Sequence, residues 1–517
     1  MNVVTPSSLG SNYDYSIVGS GPAGSILASQ LQHVGRVLVL EAGSIHQGPF
    51  SHTPALYPRS FGSRIDWNYQ TTPQSKLADR RLNWPSGKTL GGSSAINAMI
   101  RIEPALSCLQ QLENHCGPDW ATVASLKGLE RLRSLWQGTL PELHPNTQSL
   151  LEVAVAQGTG SAQGHVSPGS KIAPYVRMQV AGRRQSSSPL IECDVLPNAL
   201  ANKLLIELDK VTGLCVYVDE TPLVLRANKQ IILCCGAIQT PRLLFQSGIG
   251  PCDSLGDAGL GCIHRAQRIG VGLQDRLIYP LVFKLRTGSA FSWPFSDEDR
   301  WRYAQEGKGP KSSNLAELGA FSDPLDPLDP SPYAFQWHIT PTHYLAYPNI
   351  PIGYPCISVG VTQCKPTSTG SISPLPYDKA GKVNPNQIPM RIDPGYGSDD
   401  GDLQAYLKAI ESTREFFHRE TWKDLFEEEI SPGPKRVTSE SVSKHFAKFA
   451  TTLYHYCGTC QMGLDPSAPV DSRFRLRGID GLRICDASVF PRILGCNPQT
   501  TLMMLAMRLG DWLLEES

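Results

Sequence analysis

The sequence predicts an α/β protein, in which a Rossmann-type nucleotide-binding unit is joined to a second region built on an antiparallel sheet covered by helices. Three observations carry that expectation. A strand, a glycine turn, a helix and a second strand ending in an acid follow one another between residues 15 and 41. A short apolar run around residue 484 reads as one more strand of the same sheet near the C-terminus. Between about residues 277 and 449 the pattern changes to longer β-prone runs with one amphipathic helix.

In the first of these stretches, Tyr15-Ser16-Ile17-Val18 is β-prone and enters Gly19-Ser20-Gly21-Pro22-Ala23-Gly24 directly. Ile26, Leu27 and Leu31 continue with helical spacing, and Val37-Leu38-Val39-Leu40 reads as a fully buried strand ending in Glu41. Gly19 permits the tight turn, Gly21 lets the backbone approach a pyrophosphate, and Gly24 lets helix and strand pack closely. Pro22 suits the first helical turn, whose open amides hold an anion. Glu41 stands 20 residues past Gly21, where a carboxylate reaches both ribose hydroxyls of an adenosine. Taken alone, these residues fit NAD as well as FAD.

Composition narrows the partners. Lys+Arg and Asp+Glu both number 47 in 517 residues, so nothing favours nucleic acid or an anionic membrane surface. No apolar run is long enough to span a membrane, so no membrane insertion is expected. Residues 1–12 lack the hydrophobic region of a signal peptide, and no Asn-x-Ser/Thr site is present, which leads us to expect a cytoplasmic protein. Most of the 14 cysteines read as small buried hydrophobes. Cys457 and Cys460 form a CxxC, but no second CxxC or zinc-spaced His pair accompanies it, so no metal is expected.

The next informative stretch is Gly87-Lys88-Thr89-Leu90-Gly91-Gly92-Ser93-Ser94-Ala95-Ile96-Asn97. A P-loop would need a glycine at Leu82, and a nucleophile elbow would need a glycine closing Gly92-Ser93-Ser94-Ala95. The apolar helical pattern that follows suits a backbone-amide cradle at a helix start. Further on, Gln230-Ile231-Ile232-Leu233-Cys234-Cys235 reads as a buried strand entering Gly236, with Thr240 and Pro241 as helix cap and first helical residue. Strand-like runs lie at Leu204-Leu205-Ile206 and around Val211.

These stretches resemble the signatures of the glucose–methanol–choline oxidoreductases, FAD-dependent enzymes that mostly oxidise alcohols. Residues 87–97 are similar to the family's first signature and residues 236–250 to its second, while Gly270-Val271-Gly272-Leu273-Gln274-Asp275 matches a further segment, with Arg276 where a histidine is common. The resemblance implies FAD rather than NAD. It is held non-covalently, because members with covalent flavin have a histidine where this chain has Ile96. The implied contacts are Gly19, Gly21, Ala23, Gly24, Glu41 and Ala42, then Lys88, Leu90, Gly91, Gly92, Ser93, Asn97 and Ala98 of the second loop. Val211 at the adenine, Gly236, Asp486, Ala487, Pro498, Gln499 and Thr500 complete them, with Asn497.

The resemblance also implies an order of parts: FAD-binding segments at 1–125, 191–276 and 453–517, a connecting segment at 126–190, and a substrate-binding domain at 277–452. In that domain Ala334 to Ile339 and Cys356 to Val361 read as strands, and Leu403, Tyr406, Leu407 and Ile410 mark the amphipathic helix. The Asp/Pro-rich run at 323–330 reads as an exposed loop. His338 and His343 read as pocket wall or ordinary surface rather than a metal pair.

Chemistry is expected at the C-terminal end. Residues 454–463 are similar to the family segment that holds the catalytic histidine, which makes His455 the expected base and Asn497 the second active-site residue, with hydride passing to flavin N5. The helix starting after Asn497 points its N-terminal amides at the flavin. The expected reaction is oxidation of a small, aromatic or apolar alcohol of specialised metabolism, with oxygen or another acceptor re-oxidising the flavin. A net non-redox lyase or cyclase on the same fold is the alternative. A homodimer is possible.

Overall fold

The structure is a computed structural model that describes residues 1–516 apart from 11, 47, 292, 323–333 and 377–385. The loop expected at 323–330 lies outside the described residues. Two sheets organise the molecule. The parallel part of the first runs Asn2–Val3, Asp194–Leu196, Val37–Leu40, Tyr13–Val18 and Thr221–Leu233, with Leu482–Ile484 parallel to the last of these. Ile17, Leu38, Val39, Ile232, Leu233 and Ile484 are all 0% exposed, as expected for parallel strands with both faces covered. Thr221–Leu233 is long because its first half also belongs to an antiparallel hairpin with Lys210–Val218 and Ala199–Glu207.

The first turn behaves as its glycines require. Gly19 sits at φ +106, and a Cβ there would lie 2.4 Å from the Cys234 carbonyl oxygen. A Cβ on Gly24 would lie 2.0 Å from the Gly19 carbonyl oxygen, so helix Pro22–Leu31 rests directly on the strand end. That helix packs along the C-terminal helix Pro498–Glu515, whose Leu505, Leu509 and Trp512 are buried. Each such side chain contributes about 1.5–3 kcal/mol.

The second sheet is antiparallel throughout, in the order Phe426–Ser431, Leu277–Leu285, Cys356–Gln363, Phe335–Thr340, Leu318–Ser322, Ala173–Pro174. Helix Asp400–Phe417 covers one face, where Trp337 meets Phe416 and Phe417 and donates to Thr413 Oγ1 at 3.1 Å. Strand side chains alternate between faces, so Gln336, His338 and Thr340 point the other way, toward the first sheet's glycine loops.

Four expectations change. The second helix of the nucleotide-binding unit begins at Gly236, not at Thr240, and Pro241 lies inside it. Asp486 Oδ2 accepts from the Gly236 amide at 3.0 Å and from Thr240 Oγ1 at 2.5 Å, so a carboxylate distant in sequence does the capping. After Ser94 no helix forms; a single 3₁₀ turn, Gly92–Ala95, leads to the strand Ile100–Arg101. Met99, at φ 58, turns the chain out of helical geometry there. The division at residue 125 cuts helix Thr122–Leu135, whose Leu129 and Leu132 belong to the first sheet's core. Leu150, Leu151 and Ala154 of helix Pro145–Ala156 instead pack into the second sheet's core, so the segment 126–190 is shared between the two cores. Finally, Cys252 and Cys262 form a disulfide, a pairing not expected from the sequence.

Candidate active site

A cavity lies between the two sheets, lined at one end by the first glycine turn and at the other by the second sheet. Gly19, Gly21, Ala23, Glu41 and Ala42 line the first end. A Cβ on Gly21 would meet nothing within 4 Å, so the backbone at the start of helix Pro22–Leu31 is open to the cavity. A Cβ on Gly92 would lie 2.9 Å from Gly21 Cα, which means the two glycine loops touch and together form one cradle. Glu41 is 5% exposed and accepts from the Gly43 amide at 2.8 Å, the Ser20 amide at 3.2 Å and the Ser20 hydroxyl. Burial holds its carboxyl above the usual range.

The second loop is held from outside by Arg184, a buried guanidinium. Its Nη1 donates to the Ser94 carbonyl at 3.0 Å and to Asn97 Oδ1 at 2.8 Å, its Nη2 to the Asn97 carbonyl at 2.6 Å, and its Nε to the Ser51 carbonyl at 2.7 Å. Asn97 Nδ2 in turn donates to Gln499 Oε1 at 2.5 Å, tying the loop to the last helix. Gly92, Ser93, Asn97 and Ala98 line the cavity, as do Gly236, Asp486, Ala487, Asn497, Pro498 and Gln499.

Six expected contacts do not reach the cavity. Gly24 serves the helix–strand contact described above, and Thr500 is buried within the last helix. Lys88 lies over the Trp67 ring at 4.9 Å, and Leu90 is buried against the chain at Ser44, whose carbonyl accepts its amide at 3.1 Å. The Gly91 amide donates to Ser20 Oγ at 3.0 Å, bracing the two loops. Val211 is the plainest correction: its amide donates to the Asp480 carbonyl at 2.9 Å, away from the cavity. The neighbouring strand brings Ala199, Leu200 and Ala201 to that end instead, because the hairpin places the strand starting at Ala199 beside Glu41.

At the far end, Asp275 is buried and accepts from the His455 amide at 2.8 Å, from Thr452 Oγ1 at 2.6 Å and from the Tyr396 hydroxyl. Next to it, Arg276 is 0% exposed, and its Nη2 lies 2.5 Å from His455 Nδ1. A guanidinium can only donate, so Nδ1 accepts and the neutral ring carries its proton on Nε2. Burial, then the charges of Arg276 and His338, push the His455 pKa well below its ordinary value, which keeps the ring neutral. Arg276 Nη1 also donates to Gln336 Oε1 at 3.4 Å, and Gln336 Nε2 donates to Asn497 Oδ1 at 3.2 Å. With Oδ1 engaged, Asn497 presents Nδ2. In this network His455 presents Nε2–H and Asn497 presents Nδ2–H to the cavity.

His338, expected as pocket wall or surface, is wall, 3% exposed and 3.0 Å from the Tyr175 hydroxyl through Nδ1. Tyr57, Phe61, Tyr344 and Tyr454 form an aromatic side to the same end, with the Phe61 and Tyr454 rings 5.2 Å apart. Cys457 and Cys460 are buried thiols pushed up by that burial, and no group of three metal-capable side chains occurs among the described residues.

A long cavity with an open glycine cradle at a helix start and an acid at one end fits an adenine dinucleotide. The models of the N- and C-terminal parts of the GMC oxidoreductases match residues 13–278 and 366–506. The chain belongs to the GMC oxidoreductase family. It is therefore an FAD-dependent oxidoreductase, and the open cradle at Gly21 and Gly92 would fit the FAD diphosphate. Ile96, an alkyl side chain lining the cavity, gives no bond to the flavin. The chain is 32% identical to the "Alcohol dehydrogenase [acceptor]" of Pseudomonas putida over 96% of this chain and 94% of that one. It is 30% identical to the "Oxygen-dependent choline dehydrogenase" of Rhizobium johnstonii over 97% and 95%. Among solved structures, pyridoxine 4-oxidase from Mesorbium loti is similar with a TM-score of 0.83 at 25% identity, covering 98% of this chain and 99% of that one. Formate oxidase of Aspergillus oryzae shares the fold, with a TM-score of 0.86 at 23% identity and coverage of 98% and 99%.

Reading the GMC motifs alone misses Arg184, Gln336, Tyr175 and the role of Arg276. Only Arg276 left a signal, as an arginine where the family commonly has histidine.

Proposed function

We propose that this GMC oxidoreductase oxidises the hydroxyl of a small alcohol whose body is uncharged and aromatic or apolar. The carrying observation is the pair His455 and Asn497 at the end of the FAD cavity, facing Tyr57, Phe61, Tyr344 and Tyr454. His455 Nε2–H and Asn497 Nδ2–H both donate to the substrate oxygen, which orients the carbinol carbon and favours negative charge on the oxygen. When bound, FAD supplies at N5 the acceptor for the hydride from that carbon. Asp275 holds the His455 backbone in place, and the aromatic rings exclude water from the alcohol.

The names of the relatives support alcohol chemistry, and the charges argue about which alcohol. Arg276 and Arg184 are both buried, and among the described residues neither has a carboxylate within ion-pair distance. Their positive potential opposes a cationic alcohol such as choline and suits a neutral one. Oxygen or another acceptor then takes the electrons from the reduced enzyme. Anaerobic titration with a panel of alcohols tests this: benzylic and other neutral apolar alcohols are expected to bleach the oxidised flavin band. Bleaching by choline alone, or by no alcohol, refutes it.

A further inference from the structure

A second cavity, of about 190 Å³, is lined by helix Leu106–Cys116, by the loops 365–367 and 491–494 and by Gln274, and shares no lining residue with the FAD cavity. We propose that it binds a small organic carboxylate with an aryl or alkyl body, and that its occupancy is felt in the FAD cavity through Gln274. Neither part depends on which alcohol the enzyme takes.

The walls divide by exposure. Leu112, Ile493 and Leu494 are buried and, with Pro366 and Pro491, present apolar surface. His115 and Arg492 are exposed and Lys365 is half-buried, so basic groups stand at the mouth, and no carboxylate lines the cavity. His115 Nδ1–H donates to the Gln111 carbonyl at 2.9 Å, which fixes the ring on its helix. Asp402, bonded to the lining residue Thr367, is occupied by the amides of Thr367 at 3.1 Å and Ser368 at 2.7 Å. Positive charge at the mouth is therefore not cancelled from that side.

This division selects the ligand. A bare inorganic anion would meet the basic groups but leave the apolar walls against water. A neutral apolar molecule would fill the walls and leave the basic groups unused. A carboxylate on an aryl or alkyl body satisfies both, and its two oxygens match the planar fork of Arg492. The volume lies below the roughly 300 Å³ at which pockets for drug-sized ligands begin, so the body is no larger than one ring or a short chain.

Gln274 connects the two cavities. It is buried, and its side chain pins both loops of the second cavity: Nε2 donates to the Pro366 carbonyl at 3.0 Å, and Oε1 accepts from the Ile493 amide at 3.1 Å. Its backbone exchanges two hydrogen bonds with Cys457, at 3.0 and 2.9 Å, and the next residue, Asp275, accepts from the His455 amide at 2.8 Å. The loops also continue toward the FAD site. Cys364, before Lys365, and Cys496, before Asn497, pack in one small core with Ala316, which lines the FAD cavity. A ligand that moves or stiffens loops 365–367 and 491–494 thus acts on the backbone at His455 and Asn497, and by linkage their state acts on the ligand.

The test uses FAD-loaded enzyme with benzoate, benzamide and inorganic phosphate as probes, read by isothermal titration calorimetry. Benzoate is expected to bind saturably, with benzamide and phosphate each at least about tenfold weaker. Arg492→Glu, a change at an exposed side chain outside the FAD cavity, is expected to weaken benzoate at least about tenfold. Unchanged affinity in Arg492→Glu would place benzoate elsewhere, including the FAD cavity, and overturn the site. Phosphate binding as well as benzoate would overturn the ligand class, as would equal binding of benzamide. Saturating benzoate is expected to shift the oxidised flavin band of wild type, and at the same concentration to leave that of Arg492→Glu unchanged. Gln274→Met, which loses both side-chain bonds, is expected to bind benzoate with a smaller flavin shift. Saturable binding with no shift in wild type, or a full shift in Gln274→Met, refutes the link. If Gln274→Met does not fold, the wild-type shift and its loss in Arg492→Glu still decide whether the two cavities are coupled.

Discussion

Replacing His338 by Gln should change how stability depends on pH. The folded-state pKa of His338 is lowered from 6.5 to about 3, first by burial and then by Arg276. A lowered histidine pKa means that the unfolded chain binds the proton more readily than the folded one. The stabilising contribution is therefore fully present above pH 6.5 and is lost as pH falls toward 3. At about 1.4 kcal/mol per unit, His338 accounts for a loss of about 2 kcal/mol between pH 7.5 and 5, and about 4 kcal/mol by pH 3. Arg276, His455 and Tyr175 face the ring from neighbouring elements and are present in both proteins. Guanidinium denaturation of wild type and His338→Gln with excess FAD, at pH 7.5 and at pH 5, isolates the difference. The variant is expected to lose about 2 kcal/mol less than wild type over that interval. Parallel loss in the two proteins would refute the reasoning, because a histidine with an ordinary pKa in the fold contributes no such slope.

Three further outcomes follow from the cavity. Gly19→Ala places a side chain at φ +106 and 2.4 Å from a carbonyl oxygen, and is expected to cost about 3 kcal/mol or more, read as loss of soluble protein or a lower denaturation midpoint. Gly21→Ala has open space and an ordinary φ, so the fold survives while FAD affinity falls at least about tenfold, measured by fluorescence as flavin is released on dilution. Asp275→Ala strips the acceptor from the His455 amide, Thr452 and Tyr396, and is expected to destabilise by about 3–5 kcal/mol with lowered flavin reduction, checked by denaturant midpoint and stopped-flow.

Local signals were legible where one segment decides its own conformation. The run from Tyr15 to Glu41 places strand, turn, helix and acid through side-chain size and spacing alone, and the structure keeps all four. The same holds for the amphipathic helix Asp400–Phe417 and for the strand Leu482–Ile484, each written in its own period. Cap and cradle details were not legible. Thr240-Pro241 has the composition of a helix start, but Asp486 supplies an acceptor at Gly236 and moves the start there. Val211 sits on a strand of the right hairpin, and only the pairing decides that its neighbour reaches the cavity.

The reacting centre shows the division most clearly. Sequence alone pointed to an adenine dinucleotide at the first turn and, through resemblance, to His455 and Asn497 as active-site residues, and one cavity is lined by all of them. What those residues can do there was decided by tertiary structure. Phe335–Thr340 is buried on both faces, so its alternation is invisible in the sequence, and nothing in the order of residues joins Gln336 to Asn497 or Arg276 to His455. A histidine's role depends on which nitrogen holds the proton, and that is set by partners brought together only when the second sheet closes over the first.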